Sequence, residues 1–397
     1  MPPQKNCFNE KHLEQLKNET ATNFTEPIKH SFQCENLSKE IEKVTGIKVS
    51  PNTLRRLFGF IKTDFSPSVK TLNALSVYNG FPNWHSFTEQ FSDKKYKPLT
   101  LDQEAQLYLS FFEIEVKQEG DMNYHNASKN IALRILFNET LLKKLSSSLA
   151  KNPASQVFFF ERFPFIDGLG GFYTRSIKMY LAKNSNEAQI FGNSLLFLSA
   201  FLCNKPKELK VYYDQLMKFE INENMHPFLV GRFIGSRILY ANYKNEPIDN
   251  LIKEASKLSQ NFLKKIKIEF WLYPYFQHML ADYLNLAGLF KESYEIIRSI
   301  QHFNKNYEIE TGYKEALNII SKIAHHSVPS FDYEKWYYLE SAKNFHLINP
   351  LFKKYQKLQA LCVYHSVVKG KKREKSKNEI NALIEQTGFT YFSNYIS

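Results

Sequence analysis

The sequence predicts an all-α protein in which a small N-terminal domain of short helices precedes a larger array of longer ones. Three observations carry that expectation. Only 14 Gly and 15 Pro occur in 397 residues, fewer than the tight turns of a sheet protein require. From about residue 100 onward, apolar residues recur at helical spacing in segments of roughly 12–20 residues separated by short polar breaks. Between residues 36 and 91 the chain is punctuated by helix start and stop signals. The length exceeds what one core usually organises, so more than one folding unit is expected.

Residues 1–35 read as a leading helix, with Leu13 and Leu16 on one side, followed by a linker. The next segment takes Asn36 as N-cap, carries Leu37, Ile41 and Val44 on one face, and stops at Gly46. A second helix follows Ile47, Lys48 and Val49, with Ser50 as N-cap, Pro51 at the first helical position, Leu54, Leu57 and Phe58 as the buried stripe, and Gly59 as the stop. A third opens at Ser66-Pro67 or Ser68, buries Val69, Leu72 and Leu75, and ends at Asn79-Gly80. A fourth, 83–91, is anchored by Trp84, Phe87 and Phe91. Lys94, Lys95, Lys97 and Pro98 then break the pattern, which places the domains at 1–35, 36–97 and 98–397.

In the array, Met279, Leu280, Tyr283, Leu284 and Leu286, a break at Gly288, then Phe290, Tyr294, Ile297 and Ile300 outline a helical hairpin. Ala281 and Gly288 sit where a tetratricopeptide repeat places small residues, although no strict 34-residue period registers the rest.

Composition narrows the function. Aromatic residues make up 15% of the chain and charged residues 23%, ample for burial. The four cysteines, Cys7, Cys34, Cys203 and Cys362, lie far apart, so neither a disulfide framework nor a zinc site is expected. The N-terminus has no apolar leader, and the best uncharged run, 188–204, contains Gln189, Asn193, Ser194 and Ser199; it reads as a buried helix, so a cytoplasmic protein with no membrane partner is expected. The net charge of +12, shared as +4 over residues 1–97 and +8 over the remainder, attracts polyanions without selecting one.

Two helices packed across a short turn leave the outer face of the second free to enter a major groove. In the second helix the positions not needed for packing are Asn52, Thr53, Arg55 and Arg56, all able to bond bases or phosphates, with Lys48 and Lys62 flanking them and Ser50 at the cap. No acidic residue lies between Lys43 and Thr63. This region resembles the lambda-repressor-like (Xre-type) helix-turn-helix through Ser50, Thr53, Leu54, Arg56, Gly59, Pro67, Ser68, Thr71 and Leu72. It is also similar to an N-terminal module of bacterial proteins that closes with the pattern formed here by Gly80, Phe81, Trp84 and Phe87. The seven-residue connector 60–66, with Phe60, Ile61 and Phe65, is longer and more apolar than that family's.

The resemblance implies a DNA-binding, helix-turn-helix-like N-terminal domain plus a larger α-helical repeat (TPR-like) array. In architecture the pair resembles bacterial quorum-sensing receptors, which implies double-stranded DNA as partner, a peptide or protein ligand in the array, and a homodimer. The expected function is a transcriptional regulator. The alternatives are a non-enzymatic interaction scaffold whose N-terminal domain docks a protein, and an RNA- or single-strand-binding protein that stacks bases on its aromatics.

No catalytic, metal or cofactor constellation stands out. Gly168, Gly170 and Gly171 lack the spacing of a nucleotide loop and read as a turn. His325 and His326 are adjacent, so a helix points them apart. Glu161-Arg162 beside Phe158, Phe159 and Phe160 reads as a surface pair at the edge of a core. The clusters Phe270, Trp271, Tyr273, Tyr275, Phe276 and Trp336, Tyr337, Tyr338 fit an interhelical core better than a groove, and the basic run 369–377 fits a solvated helix end.

Overall fold

The computed structural model describes residues 10–24, 26–62, 66–91, 99–116, 121–222, 224–268, 273–300 and 311–396. Among them there are helices and turns and no strand, so the all-α expectation holds. The chain divides into two compact units, Met1–Pro98 and Leu99–Ser397.

The small unit holds α1 (Glu10–Asn23), α2 (Gln33–Thr45), α3 (Pro51–Leu57), α4 (Val69–Tyr78) and α5 (Trp84–Phe91). Ser50 and Ser68 cap α3 and α4 by accepting the backbone N–H of Thr53 and Thr71, each a bond that satisfies an otherwise orphaned donor. Gly46, at φ 69°, ends α2 in the left-handed conformation that a side chain would disfavour.

Three local expectations need correction. Helix α2 starts at Gln33, not after an Asn36 cap, because Gln33 Oε1 accepts the N–H groups of Lys29 and His30 and so closes the turn before it. Val44 and Val69 are exposed, since each lies at an end of its helix beyond reach of the core that Leu37, Ile41, Leu54, Leu57, Leu72 and Leu75 share. Finally, α1 contributes Leu16 to that core, and Thr20 Oγ1 accepts from Asn79 Nδ2, so it belongs to the small unit and is not a free leader. Phe65, Lys94, Lys95, Lys97 and Pro98 lie outside the described residues, as does the side chain of Phe91.

The larger unit opens with α6 (Leu101–Phe112), α7 (Met122–Leu136) and α8 (Glu139–Lys151). A short turn, α9 (Pro153–Ser155), runs into a π-helical segment, Gln156–Glu161, that buries Phe158, Phe159 and Phe160 in succession. After α10 (Tyr173–Tyr180) come paired helices: α11 (Asn186–Leu202) with α12 (Pro206–Leu216), α13 (Pro227–Tyr243) with α14 (Asp249–Ile268), and α15 (Tyr275–Leu286) with α16 (Phe290–Arg298). Then follow α17 (Thr311–Ala324) with α18 (Tyr333–Leu347) and α19 (Lys353–Val367) with α20 (Gly370–Thr387). The first helix of each pair lies against the first helix of the next, from α11 through α19. Among the described residues no helix is long and apolar enough to cross a membrane; the apolar run 188–204 lies almost wholly within α11, buried on nearly every side.

The hairpins from α11 to α16 turn on one device. Asn204, Asn245 and Gly288 each take positive φ, and the next residue's N–H donates to the carbonyl five positions back, at Ala200, Ala241 and Leu284. These turns are 41 and 43 residues apart, which is why a 34-residue period does not register.

Helix α15 is the centre of the array. Every residue from Phe276 to Leu286 is buried, and α13 approaches it through Gly231 and Gly235. A Cβ on Gly235 would stand 2.6 Å from Tyr283 Cγ and 2.7 Å from Tyr283 Cβ, atoms that cannot swing aside. A Cβ on Gly192 of α11 would meet the far end of Leu181 instead. Gly235→Ala is therefore expected to destabilise the larger unit by about 1–2 kcal/mol, because overpacking exceeds the gain in helix propensity. Gly192→Ala is expected to cost less; chemical denaturation of both variants checks the order.

Candidate functional site

The residues expected to meet DNA occupy α3 and its flanks. Ser38 Oγ donates to Val49 O at 2.6 Å and holds the turn between α2 and α3. Ser50 and Thr53 share a hydroxyl bond of 2.8 Å around the cap. Arg55, expected to be free, is engaged on three sides: Nη2 pairs with Glu35 Oε1 at 2.6 Å, Nε donates to Ser31 O at 3.2 Å, and Nη1 donates to Asn52 Oδ1 at 2.8 Å. It ties α3 to α2 and to the turn before it, and it occupies Asn52 as well. Lys48, Arg56 and Lys62 remain exposed. The exposed aromatics Phe32 and Phe60 and the aliphatic Val44 lie on the same small unit.

In the larger unit, a cleft of about 650 Å³ gathers residues from seven segments, reaching from Met122 on α7 to Tyr313 on α17. The π-helical segment supplies Glu161, and Arg162 follows it. These two do not pair with each other as the sequence suggested. Glu161 Oε1 accepts from Lys183 Nζ at 2.6 Å and from Tyr180 Oη at 2.7 Å, while Arg162 lies over the Phe158 ring and places Nη1 3.2 Å from His125 Nδ1. Elsewhere in the lining, Phe228 stands edge to face with both Tyr275 and Tyr313, and the Arg232 guanidinium lies 5.9 Å from the Phe228 ring centroid.

Arg232 borders the cleft on one side and a small inner cavity of about 30 Å³ on the other. That cavity is also lined by His278, Asp282, Tyr283, Tyr355 and Gln356. Asp282 accepts from Tyr355 Oη at 3.2 Å and from the amides of Gln356 and Gln359, both at 2.8 Å. Burial pushes its carboxyl above the usual range against those three bonds. Asp167, in the turn that the Gly168-Leu169-Gly170-Gly171 segment forms, accepts the N–H groups of Lys354 and Tyr355 at 2.8 Å and so caps α19. Burial nevertheless raises it to about 6, because desolvation of the carboxylate outweighs both backbone bonds.

His278 donates or accepts at Nδ1 with Tyr273 Oη, and Tyr273 Oη also lies 3.1 Å from Tyr313 O. A carbonyl only accepts, so the tyrosine proton goes to Tyr313 and His278 Nδ1 carries its own hydrogen.

The other sequence candidates resolve simply. His325 Nδ1 bonds to Ser321 O and His326 lies edge-on to Tyr333 and Phe290. Among the described residues no group of three or more His, Cys, Asp or Glu is placed to hold a metal. Cys34, Cys203 and Cys362 are free thiols, and Cys7 lies outside the described residues. Tyr273, Phe276 and Trp336 are core, Tyr275 lines the cleft, Tyr338 is exposed, and Phe270 and Trp271 lie outside the described residues. The basic run forms the exposed first half of α20, where Lys372 pairs with Glu334 at 2.7 Å. The cleft was missed because its parts are far apart in sequence; the one local signal was a Gly-x-x-x-Gly spacing around Arg232.

Burial and the Arg232 charge lower His278 to about 3, so it is neutral in the folded state. The unfolded chain protonates this histidine near its ordinary value of 6.5. The folded state therefore loses stability as pH falls below about 6.5, and the loss continues toward 3. Asp167 acts in the opposite sense, since a raised carboxyl contributes stability that is lost as pH rises through about 6. Subtracting the His278→Asn profile from the native one isolates the first effect. Between pH 6.5 and 4 the native chain is expected to lose on the order of 2 kcal/mol more than the variant, read from unfolding midpoints.

No family model matches the chain, and neither a curated protein nor a solved structure is significantly similar to it.

Proposed function

We propose that the chain is a non-enzymatic, ligand-responsive DNA-binding regulator. Its small unit engages the duplex through α3 in the manner of a helix-turn-helix, and its larger unit, a TPR-like array of helical hairpins, senses a ligand. The observation that carries the ligand half is the cleft bordered by Arg232, a buried cation set among aromatic rings. The DNA half is supported by the α2-turn-α3 packing and by Lys48, Arg56 and Lys62, which stay exposed around a helix whose apolar side is buried. Arg55 serves as a positioning residue in this reading, holding α3 against α2.

A second reading, in which the small unit docks a protein, is favoured by the exposed Phe32, Val44 and Phe60.

Binding to a pool of random duplex DNA, followed by fluorescence anisotropy across a salt series, separates the two. Replacing Lys48, Arg56 and Lys62 together by alanine is expected to weaken binding and to reduce the salt slope by about 1 for each phosphate that the variant leaves unneutralised. Unchanged affinity in the folded triple variant would transfer the reading to protein docking. Arg55→Ala is expected instead to lower the melting temperature of the small unit slightly, because it removes the solvent-exposed ion pair to Glu35 and the bond to Ser31 O that tie α3 to α2 and the turn before it.

A further inference from the structure

Arg232, in the middle of α13, is 2% exposed, and its Nη1 has no hydrogen-bond acceptor among the described residues. The guanidinium lies 6.0 and 5.9 Å from the ring centroids of Phe191 and Phe228, contacts that accommodate a cation and accept none of its hydrogens. Asp282, which lines the same inner cavity, directs its oxygens to Tyr355, Gln356 and Gln359 on α19. A buried guanidinium with an open donor is costly, and a planar anion in the cleft would supply the missing acceptor.

The rest of the cleft limits the anion's charge. Lys183 is paired with Glu161, Arg162 is stacked on Phe158, and Glu187 adds a second acid to the same lining. With Lys183 and Glu161 offsetting each other, Arg162 and Arg232 exceed Glu187 by one positive charge, so a monoanion balances the lining and a phosphate dianion overshoots it. The remaining walls, Phe191, Phe228, Tyr275 and Tyr313, offer ring faces and edges in a volume suited to a small molecule or a few residues of peptide.

We propose that this cleft takes a monocarboxylate on an aromatic or apolar body, with the carboxylate bonded to Arg232 and the body against Phe228, Tyr275 and Tyr313. The inference rests on the reading of the larger unit as a ligand sensor. The carboxylate has two sources, a free organic acid or the C-terminus of a short peptide.

Calorimetric titration of the full chain tests it with four probes: phenylacetate, phenylacetamide, and a tripeptide ending in phenylalanine as the free acid and as the C-terminal amide. Both the native chain and Arg232→Gln are titrated. The acids are expected to bind the native chain roughly 10- to 100-fold tighter than the matching amides, the loss of a charge-assisted bond. Arg232→Gln is expected to erase that difference, and whichever acid binds tighter identifies the source. If Arg232→Gln does not fold, the acid-amide comparison in the native chain decides alone. Equal binding of acid and amide overturns the carboxylate inference and leaves the sensor reading standing. Absence of binding by all four probes overturns both.

Discussion

Helix α15 sits where every neighbouring helix needs it, and its sequence reconciles two demands that conflict. A helix buried on all sides would ordinarily be apolar all round, yet α15 carries Gln277, His278, Asp282 and Asn285 inside the protein. Three of these join α15 to a different partner helix each. Gln277 donates to Ser259 on α14, Asn285 to Ile320 O on α17, and Asp282 receives the α19 amides. Breaking these buried bonds would strand the groups that make them, so they favour one register of α14, α17 and α19 against the central helix. Gly231 and Gly235 then let α13 approach on the remaining side, and that close approach carries Arg232 to the border of the cleft.

Local chemistry was readable where a helix begins or ends within a few residues. Ser50, Pro51, Ser68, Gly46, Gly59 and Gly80 each act over one turn, and their positions in the small unit follow from backbone rules alone. The fate of Arg55 was not readable in this way, because its acceptors at Glu35 and Ser31 are 20 and 24 residues away. Polar and exposed look the same in a sequence, and a charge that braces two helices has the same pattern as one that waits for phosphate.

The cleft lies further beyond local reading. Its walls come from seven segments, and the π-helical turn that presents Glu161 has no propensity signature of its own. The hairpin turns fall between these cases. Asn204, Asn245 and Gly288 are ordinary left-handed caps, and once their spacing of 41 and 43 residues is known the repetition is plain. A search for a period fixed in advance passes over it.

Arg232 is the residue at which stability and function separate. A methionine or leucine in its place would fill similar volume without the cost of desolvating a charge, and such replacements of buried ions are often neutral or stabilising. Packing alone therefore gives no reason for a guanidinium between Phe191 and Phe228 with an open donor. An anion that enters from the cleft would supply one, and it would also place a charge near the inner cavity where Asp282 bonds α15 to α19. A ligand shifts a conformational equilibrium only by its difference in affinity between states. A bond to a side chain lodged among three helices is a contact whose strength depends on how those helices pack, which is the property a sensor requires.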